Sequence, residues 1–412
     1  MKIGYACISL GSGYKTTRRL TLKNFSKQNF RDTALLNLID FKKILQYNID
    51  NNLFIFRISS DIIPFASHTI NNFQWWNSFE NELKDIGDFI KSHNIRVSMH
   101  PGQYTVLNSP KENVVQNSIK DIEYHTKFLD SLQLDYSHKL ILHIGGIYGN
   151  KPEALKRFIN NFSRLSLSAQ KRLTIENDDK LFTLEDVIYV SNKIKIPVIF
   201  DNLHHKCNPS LENKNIIDIL NIVEKTWSRE DGAVKIHYSQ QNSNKRTGAH
   251  STYINLKSFM NFYHSIEDFD IDIMLEVKDK DISAIKCSNT IFSNNDLDLI
   301  KSQFENYKYT IKEKSYYMYS NIENQISKTI CFYDFYNIID SLLANPYDSL
   351  STRKVLNEII YLFYDIASSR DKNYLEKLSI ENTDYSKIKE KLSRLSTKYN
   401  IKSLLSSYYF YY

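Results

Sequence analysis

Residues 173–205, LTIENDDKLFTLEDVIYVSNKIKIPVIFDNLHH, decide the fold. Two short apolar runs in this stretch each stop at a carboxylate, Glu176 and Asp201. Between them lies TLEDVIYVSNKI (183–194), whose apolar residues recur with helical period and whose Thr183 and Asp186 have the spacing of a capping box. A short run, a helix and a second short run read as a βαβ unit. The runs lack strict alternation, as strands of a parallel sheet buried on both faces do.

The same unit recurs outward in both directions. Upstream stand KIGYACI (2–8), LFIFRISSD (53–61), RVSMHPGQY (96–104) and LILHIGG (140–146); downstream stand AVKIHYSQ (233–240) and DIMLEVKDK (272–280). Helical stretches separate them: 31–48, 79–93, 113–132, 153–168, 213–227 and 256–269. Eight units predict an α/β protein closed into a (β/α)8 TIM barrel. The chain has 412 residues, more than the roughly 250 that one barrel needs. Residues 1–300 are therefore assigned to the barrel, with DLDLIKSQFENY (296–307) closing it as the last helix. Residues 301–412 are expected to form a mostly helical extension, carried by segments such as VLNEIIYLFYDIASS (355–369) and YSKIKEKLSRLSTKY (385–399). The extension carries 16 Lys and Arg against 13 Asp and Glu, too even a balance to assign it a partner.

Hydrophobic residues make up 42% of the chain and charged residues 24%, which supports a real core and excludes wholesale disorder. A net charge of +6 permits a nucleic-acid partner without requiring one. The four cysteines (Cys7, Cys207, Cys287, Cys331) are scattered and form no CxxC, so a disulfide framework or thiolate zinc site is not expected. The start, MKIGYACISLGSGYK, is too short and broken for a signal peptide, and no run approaches a membrane span. An intracellular monomer without membrane attachment is the expectation.

Six of the eight runs place His, Glu or Asp at or just past their carboxyl ends: His100, His143, Glu176, Asp201, His237 and Glu276, spaced 25 to 43 residues apart. In a barrel of this kind the chemistry sits at the strand carboxyl ends. His204 lies three residues past Asp201, and His250 lies in the loop after the seventh run. Three acids ending buried strands are expensive unless paired or metal-bound. Mixed imidazole and carboxylate ligands suit Zn, Mn or Fe better than Ca or Mg, and eight candidates suit two or three ions rather than one. Clustered ions activate water and stabilise both oxygens in phosphodiester hydrolysis. His93, His125, His138 and His264 fall in helices or loops and read as ordinary structural residues; of His204 and His205, one only can easily face the site.

The motifs RISSDIIPFASH, VSMHPGQYTVLNSP, ILHIGG, IENDD, PVIFDNLHH, KIHYS, GAH and DIMLEVKDK resemble those of the UV damage endonuclease family, which is similar in fold to the endonuclease IV abasic-site nucleases. The resemblance covers about residues 1–290. It implies a DNA-repair nuclease that nicks duplex DNA immediately 5′ to a UV photoproduct, leaving a 3′-hydroxyl and a 5′-phosphate. It also implies three divalent ions, manganese first, with zinc, cobalt or magnesium as alternatives. His100, His143 and Glu176 would hold one; Glu176 would bridge to a second held by Asp201, His237 and Glu276; His204 and His250 would hold the third. Lys235 lies two residues before His237 on the same strand face, and the resemblance implies a lysine that can be carboxylated into a further ligand. His68 is implied near the scissile phosphate, and Tyr5 in the same pocket. Gln103 and Tyr104, after the turn-forming Pro101 and Gly102, are implied as a wedge at the lesion. Arg57 and Lys278, near the rim, would meet phosphates. One departure is visible: the family commonly has Asn four residues after the Tyr, where this chain has Ser9, so an amide contact to damage is lost. The nearest alternative is an abasic-site endonuclease. A sugar isomerase on a related metal barrel would leave HPGQY unexplained, and a pure damage-binding protein would gain nothing from eight ligands.

Overall fold

Eight strands form in chain order: β1 (Ile3–Ala6), β2 (Ile55–Ile58), β3 (Arg96–Met99), β4 (Leu140–His143), β5 (Leu173–Glu176), β6 (Val198–Asp201), β7 (Val234–Tyr238) and β8 (Ile271–Leu275). The computed structural model describes residues 1–326, 330–381 and 385–412. Each strand pairs in parallel with the next, and β1 pairs with β8, so the sheet closes into the expected TIM barrel. Nearly every strand residue is buried, which explains the continuous apolar runs: one face looks into the barrel and the other onto helices.

The helices between strands start where the sequence provides caps. Ser26 accepts from the Asn29 N–H at the head of Lys27–Asp50, and Asn150 accepts from Glu153 ahead of Lys151–Phe162. Thr183 and Asp186 form the anticipated capping box, and Asn215 and Asp218 form a second one before Ile216–Glu224.

The register fixes which side chains enter the barrel. Ala6 lies opposite Arg57, His143 opposite Glu176, Asp201 opposite His237, and Lys235 opposite Asp272. These residues and those two positions along point inward. At the amino-terminal end of the barrel, Arg96 pairs with Asp272 at 2.8 Å and Lys139 with Asp231, while His138 Nδ1 accepts from the Val97 N–H. Burial pushes the His138 imidazole down to about 3, so the ring is neutral and serves as an acceptor.

The chain divides into two units. The first comprises Met1–Ser9, Tyr14–Ile254 and Met260–Ala284; the second comprises Leu10–Gly13, Asn255–Phe259 and Ile285–Tyr412. This corrects the assignment of 296–307 as the closing barrel helix. The helix that follows β8 is Asp281–Phe292, and Leu297–Lys314 belongs wholly to the second unit, burying Ile300, Phe304, Tyr307 and Ile311. Its apolar period identifies a buried helical face but not the core that receives it. The second unit is helical as expected. One of its cores gathers Tyr309, Val355, Leu356, Ile359, Phe363, Ile388, Leu392 and Tyr409. The terminal tyrosines are part of this unit's interior: Tyr307 meets Tyr408 edge-on at 4.8 Å and stacks with Tyr412 at 6.1 Å. Among the described residues, no helix is long and apolar enough to cross a membrane.

Candidate metal centre

Glu176 ends β5 inside the barrel and is surrounded by imidazoles. Its Oε1 lies 2.8 Å from His237 Nδ1 and 3.6 Å from His204 Nδ1; its Oε2 lies 3.4 Å from His100 Nε2 and 3.7 Å from His143 Nε2. Three groups of potential ligand atoms share this residue: His100 with His143, Asp201 with His204, and His237 with Glu276. In each group the three candidate atoms lie within 4.8 Å of one another. His250 stands at the edge, with Nδ1 3.8 Å from Glu276 Oε2 and its ring 6.2 Å from that of His204. The geometry thus brings all eight candidate ligands together. It differs in grouping from the sequence-based division, since Asp201 here gathers with His204 rather than with His237 and Glu276.

Local braces hold these side chains. Asp201 caps the short helix Asn202–Cys207 by accepting from the His204 N–H at 2.8 Å, so capping sets the approach of the two residues. Asn177 exchanges two hydrogen bonds with the Asp201 backbone, and its carbonyl lies 2.9 Å from His204 Nδ1. Asn177 was not singled out from the sequence; its position directly after Glu176 in IENDD was the available signal. His205 turns away, its ring 5.5 Å from that of Phe200.

The electrostatics fit cations. Glu176 Oε2, Asp201 Oδ2 and His143 Nδ1 are buried without a hydrogen-bond partner, which is costly for polar atoms unless an ion meets them. Burial, together with Glu176 and Glu276, pushes the Asp201 carboxyl up to about 8 despite His204. Burial opposes the charged form of His204, but Asp201 and Glu176 raise it to about 9. For Glu276, burial works upward but Arg57 and His237 win and hold the carboxyl well below its usual range. Three carboxyl groups converge beside Arg57, and the raised values of Asp201 and His204 mean that these two groups hold protons near neutral pH, protons that a cation entering the set would displace.

Arg57 does not reach the rim as expected for a phosphate contact. It is 6% exposed and inward-facing, with Nη2 2.6 Å from Glu276 Oε1 and donating to His237 Nε2 at 2.8 Å. The parity of β2, which pairs Arg57 with Ala6, places it there. Tyr5 also lies elsewhere. It pairs with Phe56 on the outer face of the sheet, and its hydroxyl donates to Asn48 Oδ1 at 2.8 Å on the helix Lys27–Asp50. Ser9 is buried and donates to Asp281 Oδ2 at 3.1 Å, so its hydroxyl is engaged inside the protein.

Lys235 enters the barrel beneath His237, fully buried, and its Nζ has no hydrogen-bond partner. Burial, reinforced by Arg96, pushes its amine well below the usual lysine value, disfavouring the ammonium form. His68 is exposed on the loop after β2, and its Nδ1 accepts from the Ile70 N–H at 3.1 Å. It joins none of the ligand groups. Gln103, Tyr104 and Lys278 are exposed, Tyr104 at 84%. Gly145, after β4, serves the fold: it has φ +117°, and a Cβ there would stand 2.4 Å from Asn108 Oδ1.

The chain matches the family model described as UV-endonuclease UvdE over residues 1–307. It is 46% identical to a UV DNA damage endonuclease of Clostridium perfringens (strain 13 / Type A) across 99% of both chains. A UV DNA damage endonuclease of Bacillus cereus (strain 03BB102) is 35% identical over 69% of this chain and 93% of its own. The crystal structure of SacUVDE superposes with a TM-score of 0.66 at 41% identity, covering 70% of this chain and 96% of that one. The chain therefore belongs to the UV-endonuclease UvdE family, and it is a DNA endonuclease.

Proposed function

We propose that the protein nicks double-stranded DNA immediately 5′ to UV photoproducts, cyclobutane pyrimidine dimers and 6-4 photoproducts, and leaves a 3′-hydroxyl and a 5′-phosphate. The observation that carries the reading is Glu176, one carboxylate common to three ligand groups at the mouth of the barrel. Three divalent ions, manganese first, are assigned to His100, His143, Glu176, Asp201, His204, His237, His250 and Glu276. When bound, such ions supply Lewis-acid activation of water and neutralise the charge that develops on the phosphate. Glu176 bridges groups, Asn177 and the helix cap at Asp201 keep His204 oriented, and Arg57 holds Glu276 and His237 in place. Lys235, with burial disfavouring its ammonium form and its Nζ without a partner, suits reaction of the free amine with carbon dioxide to a carbamate, with loss of one proton, which would give a further anionic ligand.

Recognition of damage falls to exposed residues. Gln103 and Tyr104 stand on the turn that Thr105 closes by donating to the Gly102 carbonyl at 2.9 Å. A photoproduct is poorly stacked, so an aromatic wedge displaces it at lower cost than an intact step. His68 is assigned to the scissile phosphate and Lys278 to the backbone. The protein acts as a monomer on duplex DNA. The test is nicking of UV-irradiated plasmid beside an abasic duplex, with wild type and with Glu176→Ala and His237→Ala. The reading expects wild type to favour the irradiated substrate and both variants to be inactive. Preference for the abasic duplex, or wild-type rates in either variant, would contradict it.

A further inference from the structure

The loop after β7 is a preformed hairpin, and its construction exceeds what presenting His250 to Glu276 requires. Gln241 and His250 form an antiparallel bridge, Asn242 donates to the Ala249 carbonyl at 2.7 Å, and Ser251 to the Gln240 carbonyl at 2.8 Å. The Gln241 side chain fills the turn. Its Nε2 donates to the Asn242 and Arg246 carbonyls at 2.8 and 3.0 Å, and its Oε1 accepts from the Gly248 N–H at 2.8 Å. Gly248, at φ +80°, lies so close to the loop after β5 that a Cβ would stand 2.3 Å from Asp179 Oδ2. This frame holds out a wholly exposed tip, Ser243–Thr247, that carries two adjacent cations, Lys245 and Arg246. Asp179 Oδ2 approaches the tip at 4.0 Å from Arg246 Nη1, a long, solvent-exposed pairing that leaves the cation available. The base of the hairpin is stitched onward, with Lys278 N–H donating to the Ser251 carbonyl at 3.1 Å, which ties a third exposed cation to the same frame.

We infer that this hairpin is a backbone clamp for duplex DNA, in which Lys245 and Arg246 grip phosphates while Gln241 keeps the grip preorganised. The inference rests on the reading that the protein acts on DNA, and it adds the place where affinity unrelated to damage resides. Rigid presentation of two cations lowers the ordering cost of binding a polyanion. Contacts to phosphate position a protein without reading sequence or lesion, so the clamp strengthens damaged and undamaged DNA alike. The arrangement also places the clamp and a candidate ligand, His250, on one short hydrogen-bonded frame.

The experiment measures binding of the full-length protein to an undamaged duplex, and to the same duplex with one thymine dimer, across a range of salt. Lys245→Ala/Arg246→Ala should lower the steepness of log affinity against log salt by about 2, while melting as wild type does. The ratio of affinities for the two duplexes should stay the same. Gln241→Ala keeps both charges and should weaken both duplexes by about 3- to 10-fold. A salt slope in the double variant equal to that of wild type would overturn the clamp, as would a collapse of the damaged-to-undamaged ratio, which would make the tip a lesion reader. Absence of any wild-type affinity for DNA would instead defeat the functional reading and the clamp with it.

Discussion

In the barrel, buried Glu176 and Asp201 and half-buried Glu276 converge around imidazoles with Arg57 paired to Glu276, and Glu176 Oε2 and Asp201 Oδ2 lack a hydrogen-bond partner. In the helical unit, two buried lysines each face a carboxylate. Lys286 Nζ meets Asp340 Oδ1 at 2.5 Å, and Asp340 Oδ2 also accepts from the Leu256 N–H. Lys389 meets Glu313 at 2.6 Å, donates to the Tyr412 carbonyl and lies over the Tyr409 ring. A buried cation facing a carboxylate holds a fold in register. A cluster that leaves carboxylate oxygens without a partner and keeps protons on Asp201 and His204 suits cations that would displace them.

The largest effect expected from this contrast is on catalysis. Glu176→Gln should cut nicking of irradiated DNA by about 10³-fold or more while leaving the circular dichroism spectrum unchanged. Retained activity would break the assignment of the carboxylate and imidazole cluster to the reaction. Next comes a change in the other unit. Lys286→Met removes the cation that faces buried Asp340 and should cost about 3–5 kcal/mol in denaturant unfolding of that unit. If its cost matches that of an exposed pair, the pairing is not what holds the unit.

Metal addition sharpens the comparison further. Added Mn²⁺ at about 100 times its dissociation constant should stabilise the wild-type barrel by about 2.7 kcal/mol, and Glu176→Gln should lose most of that gain. Lys286→Met should keep it. The smallest effect concerns His138, neutral in the fold and held down to about 3. A histidine whose pKa is depressed on folding binds fewer protons than the unfolded chain below about pH 6.5, so it contributes stability above that pH and loses it as pH falls. His138→Gln should therefore flatten the stability profile between pH 6.5 and 5 by about 1–2 kcal/mol. An unchanged slope would remove His138 from the account.

Much of the barrel and of the candidate ligand cluster was legible because ligand-type residues interrupt apolar runs at a regular interval, and the strand carboxyl end is where such residues can meet. Inside and outside of a strand were harder to read. Tyr5 and Arg57 each sit in an unbroken buried run, and only the register, Tyr5 beside Phe56 and Arg57 beside Ala6, shows that one faces helices and the other the cluster. The closing helix was misplaced because the apolar period of Leu297–Lys314 records that a face is buried, not which core buries it. Asn177 escaped notice because its work is done through hydrogen bonds to a backbone 24 residues away.

The most direct test is cleavage of an end-labelled duplex carrying one thymine dimer, by metal-stripped protein with and without added Mn²⁺. The account predicts no product without metal, and with metal a single nick immediately 5′ to the dimer, bearing a 3′-hydroxyl that a polymerase extends. Cleavage without metal, or a nick on the 3′ side, would contradict it.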